Sequence, residues 1–173
     1  MATVLTHPAV PLGLGIALGS RSVPPKLLLA GVVGSILPDL DAVGFRLGIP
    51  YGSLLGHRGL THSIFFAAVI GAIAAALAGR LMVTPSAAFL FVFIGTASHG
   101  LLDALTNGGM GIAFFSPLTN HRYFLPWRVL EVSPIGFHIG SRGFAIAWSE
   151  LRYVWLPCMG VGWIGFSVRN RVP

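Results

Sequence analysis

Long apolar blocks alternate with short polar segments along this chain. Five apolar stretches cover residues 8–19, 27–37, 63–79, 85–102 and 144–168. A membrane-spanning helix needs roughly 20 apolar residues, within a range of about 17 to 25. The third, fourth and fifth stretches are therefore predicted to span a membrane. The first two are shorter and predict a helical hairpin that only just spans, or that enters the membrane and returns.

Two connections between these stretches hold most of the polar residues. The first covers residues 38–62, and the second covers residues 103–142, which are rich in glycine, proline and aromatic residues. Tryptophan and tyrosine favour the membrane–water interface, so the second connection is predicted to be an ordered, turn-rich loop lying there. The pattern as a whole predicts one all-α, multi-spanning domain over residues 1–173, with about four or five apolar helices.

Composition supports a membrane protein. Apolar residues make up 54% of the chain and charged residues 9%, whereas a soluble domain carries about 25% charged residues. The net charge of +6 does not indicate nucleic-acid binding, because the basic residues are scattered singly and form no patch. The single cysteine, Cys158, cannot form an internal disulfide and is interpreted as a packing residue.

Most residues able to do chemistry lie in three short motifs, which hold three of the five acids and three of the six histidines. Each motif borders an apolar stretch, where ionisable groups are costly unless they are paired, metal-bound or functional. The motifs are Pro38-Asp39-Leu40-Asp41, His57-Arg58-Gly59-Leu60-Thr61-His62 and Ser98-His99-Gly100-Leu101-Leu102-Asp103.

The spacing within these motifs favours shared ligation of a metal. His99 and Asp103 are four residues apart, which places both on one face of a helix. Asp39 and Asp41 alternate around Leu40 in a predicted extended turn, and two adjacent carboxylates need a cation to stay ionised together. Imidazole and carboxylate ligands together suit Zn²⁺, Mn²⁺ or Fe²⁺ better than Ca²⁺ or Mg²⁺.

The middle motif is predicted to turn inward at the start of a helix. Gly59 permits the tight turn that brings the imidazoles of His57 and His62 together. The hydroxyl of Thr61 is predicted to cap the helix that follows.

Each motif also has an ordinary structural interpretation. His99 and Asp103 alone fit a hydrogen-bonded pair, Asp39 and Asp41 alone fit a capping turn, and a His–Arg pair fits the membrane interface. Their combination favours a metal site, because isolated polar groups at membrane depth are rare. For His7, which precedes the first stretch, ligation and simple interfacial placement are evenly balanced.

Four other charged residues, one of them within the middle motif, have open roles. Arg58 and Arg128 can hold a phosphate bidentately, although arginines at a membrane interface are commoner. Glu150 and Arg152 interrupt the fifth stretch, and a buried pair or side chains reaching toward water are expected there.

The segment His57-Arg58-Gly59-Leu60-Thr61-His62-Ser63 resembles the signature of the YdjM-like family of bacterial inner-membrane proteins, described as metal-dependent hydrolases. Similar family motifs follow the same order over residues 7–136. The resemblance implies a helical protein of the bacterial inner membrane with a hydrolytic metal site. The positions that match the family's ligands are Asp39, Asp41, His57, His62, His99 and Asp103, with His7 in addition.

The leading hypothesis is a membrane hydrolase that holds one or two divalent ions, with Zn²⁺ favoured over Mn²⁺ and Fe²⁺. The cation would activate water for attack on an ester or phosphoester. Asp39 would accept a proton, and Arg58 or Arg128 would stabilise the developing charge. Location favours a lipid or lipid-linked substrate. The alternatives are a metal-ion or proton transporter and a metal-stabilised scaffold; the apolar middles of the third and fourth stretches disfavour transport.

Overall fold

A computed structural model of the chain describes residues 1–133 and 140–171. Regular structure in this part is helical, with isolated β-bridges but no longer strand, which confirms the all-α prediction. The α-helices are α1 Ala9–Leu18, α2 Pro25–Ile36, α3 Val43–Arg46, α4 Ile64–Ala76, α5 Ala78–Leu81, α6 Pro85–Ala104, α7 Ser141–Glu150 and α8 Leu156–Arg169. Short 3₁₀ turns cover Leu37–Ala42 and Leu60–His62, and a π turn covers Leu151–Trp155. Residues 134–136 of the family pattern lie outside the described residues.

Two helical runs are long and apolar enough to cross a membrane. They are Pro25–Arg46, with 22 residues, and Pro85–Ala104, with 20 residues. The first is longer than predicted because a 3₁₀ turn and α3 continue α2. The other apolar helices, Ala9–Leu18 and Ile64–Ala76, contain 10 and 13 residues. Four or five spanning helices are therefore not confirmed.

Side-chain caps fix where α4 and α6 begin. Ser63 Oγ accepts the Phe66 amide at 3.0 Å, and Thr84 Oγ1 accepts the Ala87 amide at 3.3 Å. Such caps satisfy amides that lack a partner in the first turn. The prediction that Thr61 caps α4 is wrong, because Ser63 occupies that position and the Thr61 hydroxyl donates to Asp41 instead.

Close helix packing brings the polar motifs to one end of the fold. Helix α6 packs against α2 and α4, and α1 packs against α8. A Cβ on Gly95 would lie 3.0 Å from the Gly31 carbonyl oxygen, and one on Gly13 would lie 2.5 Å from the Cys158 carbonyl oxygen. Residues without side chains at these contacts let the backbones approach closely, as at membrane helix interfaces.

The segment between α6 and residue 133 is an ordered, turn-rich loop, as predicted. Ile112 and Tyr123 exchange two backbone hydrogen bonds, of 2.8 and 2.9 Å. The Asn107 amide donates to the Leu130 carbonyl at 2.9 Å. The Leu125 backbone amide donates to the Ala104 carbonyl at 3.0 Å and the Ala113 amide to the Arg58 carbonyl at 3.1 Å, which holds the loop against the end of α6 and the motif of residues 57–62.

Candidate metal centre

Four helix ends converge on one buried cluster. His7 precedes α1, Asp39 follows α2, and His62 lies just before α4. His99 and Asp103 lie near the end of α6 and share one face, as their spacing predicts. The ends of α2 and α6 therefore meet the segment before α4 at the same end of the fold.

Asp39, His62, His99 and Asp103 each offer one ligand atom, and these atoms lie within 4.8 Å of one another. His99 Nε2 lies 3.1 Å from His62 Nε2 and 3.3 Å from Asp39 Oδ1. Zinc–ligand bonds of about 2.0–2.2 Å place neighbouring ligand atoms roughly 3–3.6 Å apart. The spacing in the cluster is close to this range.

The outer nitrogens of the two histidines determine which way their lone pairs point. His99 Nδ1 lies 2.7 Å from the Ser35 carbonyl oxygen, which can only accept, so Nδ1 carries the proton. His62 Nδ1 lies 3.2 Å from Asp41 Oδ2, an oxygen that can also only accept, so this Nδ1 carries the proton as well. When both rings are neutral, two Nε2 lone pairs face each other, and a cation between them would remove the repulsion.

His7 adds a fifth candidate ligand. Its side chain is fully buried, and neither ring nitrogen has a hydrogen-bond partner. Nε2 lies 3.8 Å from Asp103 Oδ1 and 3.9 Å from Asp39 Oδ2, too far for hydrogen bonds. The ring stacks on His99 with centroids 3.6 Å apart. Burial first, and then the neighbouring His99, lower the pKa of His7 to about 3, so the ring is neutral at neutral pH.

Unpartnered carboxylate oxygens also fit a cation at this point. Both oxygens of Asp39 and the Oδ2 of Asp103 are buried and have no hydrogen-bond partner. Buried polar groups normally have partners, because desolvation without a compensating bond is costly. The donor set of imidazoles and carboxylates fits Zn²⁺, Mn²⁺ or Fe²⁺.

Asp41 belongs to a second group, with His57 and His62. Asp41 Oδ1 lies 2.6 Å from His57 Nδ1, and Oδ2 accepts the Thr61 hydroxyl at 2.6 Å. The Arg58 amide also donates to Oδ2, at 3.2 Å. Both oxygens are therefore engaged, and the contact with His62 Nδ1 forms the carboxylate–histidine pair that orients ligands in metal sites.

The backbone explains why the two aspartates separate. Residues Leu37–Ala42 form a 3₁₀ helix, so the predicted extended turn around Leu40 is wrong. With three residues per turn, side chains two positions apart point about 120° from each other. Asp39 therefore faces His99, while Asp41 faces His57.

His62 lies between the carboxylates of both groups. Burial lowers its pKa, but the nearby carboxylates of Asp39 and Asp41 outweigh burial and raise the pKa to about 9. In the absence of a metal, His62 is therefore protonated at neutral pH and carries the positive charge that the carboxylates require. A metal ligand must be deprotonated, so metal binding at this ring displaces a proton.

Arg58 is a fully buried counter-ion of Asp103. Its Nε lies 3.2 Å from Asp103 Oδ2. Nη1 donates to the Gly108 carbonyl at 2.9 Å, and Nη2 donates to Thr106 Oγ1 at 3.1 Å. Every nitrogen of the guanidinium thus faces protein, which favours holding Asp103 and the loop in place over contact with a substrate.

The turn at residues 57–62 is tight, as predicted, and a Cβ on Gly59 would collide with the carbonyl oxygen of Leu54. The left-handed residue is Arg58, with φ 64°, whereas Gly59 has φ −88°. A non-glycine residue in this region costs about 1–3 kcal/mol and persists where surrounding contacts impose it. A Cβ on Gly109 would lie 2.5 Å from Arg58 Nη1, so that glycine leaves room for the guanidinium.

Arg128 is exposed and lies over the ring of Phe124, at 3.9 Å from its centroid. Within the described part of the chain no recorded contact joins it to the cluster, and its role in charge stabilisation stays a prediction. Glu150 is a residue whose partner the sequence did not indicate. It is buried and bonded to Thr3 and Thr6, not to Arg152, which is exposed.

Comparisons with known proteins agree with the sequence motifs. The chain is 40% identical over 169 residues to the inner membrane protein YbcI of Escherichia coli strain K12, covering 94% of this chain and 98% of YbcI. It is 28% identical over 102 residues to the uncharacterized protein YvsG of Bacillus subtilis strain 168, covering 55% of this chain and 61% of YvsG. No solved structure gives a significant match. The family model described as YdjM inner membrane protein matches residues 1–172. The chain therefore belongs to the YdjM inner membrane protein family.

Proposed function

We propose that this chain is a multi-pass protein of the bacterial inner membrane that holds one divalent metal ion and hydrolyses a lipid ester or phosphoester. The convergence of buried, unpartnered ligand atoms carries the proposal. The residues that would hold the ion are Asp39, His62, His99, Asp103 and His7. Asp41 and His57 would orient His62, because the oxygens of Asp41 are already engaged by their own partners.

A divalent cation in this cluster would supply Lewis acidity, which makes water a nucleophile near neutral pH. Asp39 is suited to accept the proton. Its oxygens have no hydrogen-bond partner, and it is 9% exposed, whereas Asp103 is 0% exposed. Asp103 is held instead by Arg58 and by the Ala2 amide, which donates to Oδ1 at 2.6 Å.

An apolar cavity beside Asp39 supports a lipid substrate. The cavity has a volume of about 330 Å³, within the size range of ligand pockets. Its wall includes Val33 and Leu40, which are 42% and 65% exposed on the candidate span Pro25–Arg46. An acyl chain lying there would reach the carboxylate from the lipid side. The lining residues are Val4, Val33, Ile36, Leu37, Asp39 and Leu40.

Hydrolysis assays on purified protein test the proposal. We expect release of products from phosphatidylglycerol or phosphatidic acid in vesicles that requires Zn²⁺, Mn²⁺ or Fe²⁺ and stops with a chelator. Removing a proton acceptor typically costs about 10²–10⁴-fold, so Asp39→Asn is expected to lower turnover by that factor with the metal in excess. Val33→Trp, which fills the cavity, is expected to impair hydrolysis of the lipid more than that of a short-chain, water-soluble ester.

Leu29→Trp is the matched control, because Leu29 is 63% exposed on the same helix and does not line the cavity. If Val33→Trp and Leu29→Trp impaired lipid hydrolysis equally, the cavity would not be the binding site of the lipid. Full metal occupancy without hydrolysis of any ester or phosphoester would contradict the enzymatic function.

A metal-stabilised scaffold is the second candidate. One observation favours it: His7, His99 and Asp103 are completely buried, as ligands of closed structural sites are. The same assays separate the two, since a scaffold would lose stability with its metal but would show no turnover.

Asp41→Asn is expected to weaken metal binding by about 10- to 100-fold without abolishing it. This is the usual cost of losing a carboxylate that orients a histidine ligand, and Asp41 Oδ2 lies 3.2 Å from His62 Nδ1. Competition with a chromogenic chelator measures the change. A complete loss of binding would instead identify Asp41 as a direct ligand, while an unchanged affinity would remove it from the site.

A further inference from the structure

Residues 2–6 form a short strap that crosses the metal cluster before α1 begins. The strap turns on itself, with the Thr6 amide donating to the Thr3 carbonyl at 2.9 Å. At one end the Ala2 amide donates to Asp103 Oδ1 at 2.6 Å. At the other end the strap leads directly into His7. The position of His7 therefore depends on how the strap is held.

Glu150, the last residue of α7, holds the strap with both carboxylate oxygens. Oε1 accepts the Thr3 amide at 2.5 Å. Oε2 accepts the hydroxyls of Thr3 at 2.6 Å and Thr6 at 2.8 Å. The side chain is 4% exposed. A buried carboxylate is costly unless it is fully hydrogen-bonded, and here all of these bonds go to one segment far away in sequence.

The helix around Glu150 is shaped for this contact. The π turn Leu151–Trp155 follows directly, and such turns inside α-helices are frequent at functional sites. Within the π turn, Trp155 Nε1 lies 3.3 Å from Thr6 Oγ1, which gives the strap a second attachment next to His7.

His7 has no polar contact of its own that would fix its ring. Neither nitrogen has a hydrogen-bond partner, and the ring is held only by burial and by its stack on His99. Histidine ligands are normally oriented by a partner on the other nitrogen. The strap must supply this restraint, and Glu150 is its main polar attachment.

We propose that Glu150 is a positioning residue that acts through Thr3 and Thr6 to present His7 to the metal, an inference that rests on the proposed metal site. Glu150 does not touch the metal, yet it determines whether the ion has His7 among its ligands. His7 would thus join the metal ligands from a strap, residues 2–6, that is held in place by Glu150, a residue distant in sequence.

Co²⁺ bound in place of the native ion tests this, because its visible absorption reports the number and type of ligands independently of turnover. We expect His7→Ala to change the Co²⁺ spectrum and Glu150→Gln to reproduce that change. The glutamine keeps the size of the side chain, but its amide cannot accept the Thr3 amide and both hydroxyls together. The double variant is expected to match either single variant, because both remove the same ligand.

Glu131→Gln is the matched control. Glu131 is exposed, and its carboxylate accepts a hydrogen bond from the Asn107 side chain at 2.9 Å. The Co²⁺ spectrum of Glu131→Gln should therefore equal that of the unaltered protein. If Glu150→Gln does not fold, Thr6→Val, which removes the contacts of the Thr6 hydroxyl with Glu150, Trp155 and Thr3, is expected to shift the spectrum in the same direction.

The outcomes separate the inference from the metal site on which it rests. A Glu150→Gln or Thr6→Val spectrum equal to that of the unaltered protein, beside a changed His7→Ala spectrum, would overturn the positioning role. An unchanged His7→Ala spectrum would remove His7 from the ligands and overturn the inference, while leaving the metal site in place. Failure of the unaltered protein to bind Co²⁺ or any other divalent ion would overturn both.

Discussion

Replacing His99 with alanine is expected to remove the bound metal entirely. His99 occupies the middle of the cluster: Nε2 is 3.1 Å from His62 Nε2 and 3.3 Å from Asp39 Oδ1, and the ring stacks on His7. Its loss deletes the ligand with the shortest contacts in the cluster and leaves the contacts of His7 and His62 with the two carboxylates at 3.7–3.9 Å. Metal affinity should fall well beyond the roughly 10- to 100-fold cost of losing an orienting partner.

Elemental mass spectrometry of protein purified in detergent without chelators measures this result. We expect about one Zn, Mn or Fe per unaltered chain and a trace amount in His99→Ala. His121→Ala is the control, because His121 is exposed and packs against the Tyr123 ring, with centroids 4.6 Å apart. Retention of full metal content by His99→Ala would exclude His99 as a ligand and would contradict the proposed metal site.

A loss of metal also needs to be separated from a loss of fold. His99 Nδ1 donates to the Ser35 carbonyl, so alanine removes a buried hydrogen bond between α2 and α6. His62→Ala provides an independent variant, since His62 lies in a different segment, before α4. Both variants should lose metal, although their effects on helical content and thermal stability need not agree.

The candidate metal cluster was predictable because its residues obey local rules. His99 and Asp103 share a helix face at a spacing of four, and the apolar blocks around each motif imply that helix ends meet. The sequence did not show that Asp39 and Asp41 belong to two different groups of side chains. A 3₁₀ turn replaces the expected extended one, because α2 continues past Pro38, and this turn sends the two carboxylates in different directions.

Contacts between distant segments were beyond the reach of periodicity and spacing. The sequence predicts that Glu150 either pairs with Arg152, two positions away, or reaches toward water, but it bonds to Thr3 and Thr6, more than 140 positions away. A lone acid in an apolar stretch signals that a partner must exist, yet nothing local identifies the partner. Helix length is a similar case: the third apolar stretch divides at Leu77 into α4 and α5, which hydropathy alone does not reveal.

Arg58 shows how a family motif can be identified correctly and its chemistry interpreted differently. The motif around residues 57–63 suggested an arginine available to a phosphate. The structure places Arg58 at 0% exposure, with Nε in an ion pair with Asp103 and the two terminal nitrogens donating to Gly108 and Thr106. Its left-handed backbone, φ 64°, is the strain expected where a side chain is forced into a fixed place. We therefore expect structural consequences when it is replaced.

Arg58→Met is expected to destabilise the metal-free protein by about 3–5 kcal/mol, the usual cost of leaving one member of a buried ion pair without its partner. Asp103 would lose the guanidinium 3.2 Å away. The stability of Arg58→Lys should lie between those of Arg58→Met and the unaltered protein. Lysine keeps the charge but cannot reach Asp103, Gly108 and Thr106 at once. Reversible unfolding in mixed detergent measures each difference.

Two further variants make the result specific to the pair. Arg128→Met is expected to cost less than about 1 kcal/mol, since the exposed Arg128 makes a cation–π contact with Phe124. Adding Asp103→Asn to Arg58→Met should restore part of the lost stability, because the unpaired charge is then absent. If Arg58→Met kept full stability but abolished lipid hydrolysis, the buried-pair role would be wrong, and Arg58 would have to act on the substrate. Loss of stability in the metal-free state, where no reaction occurs, would mean that Arg58 acts by fixing Asp103 for the metal.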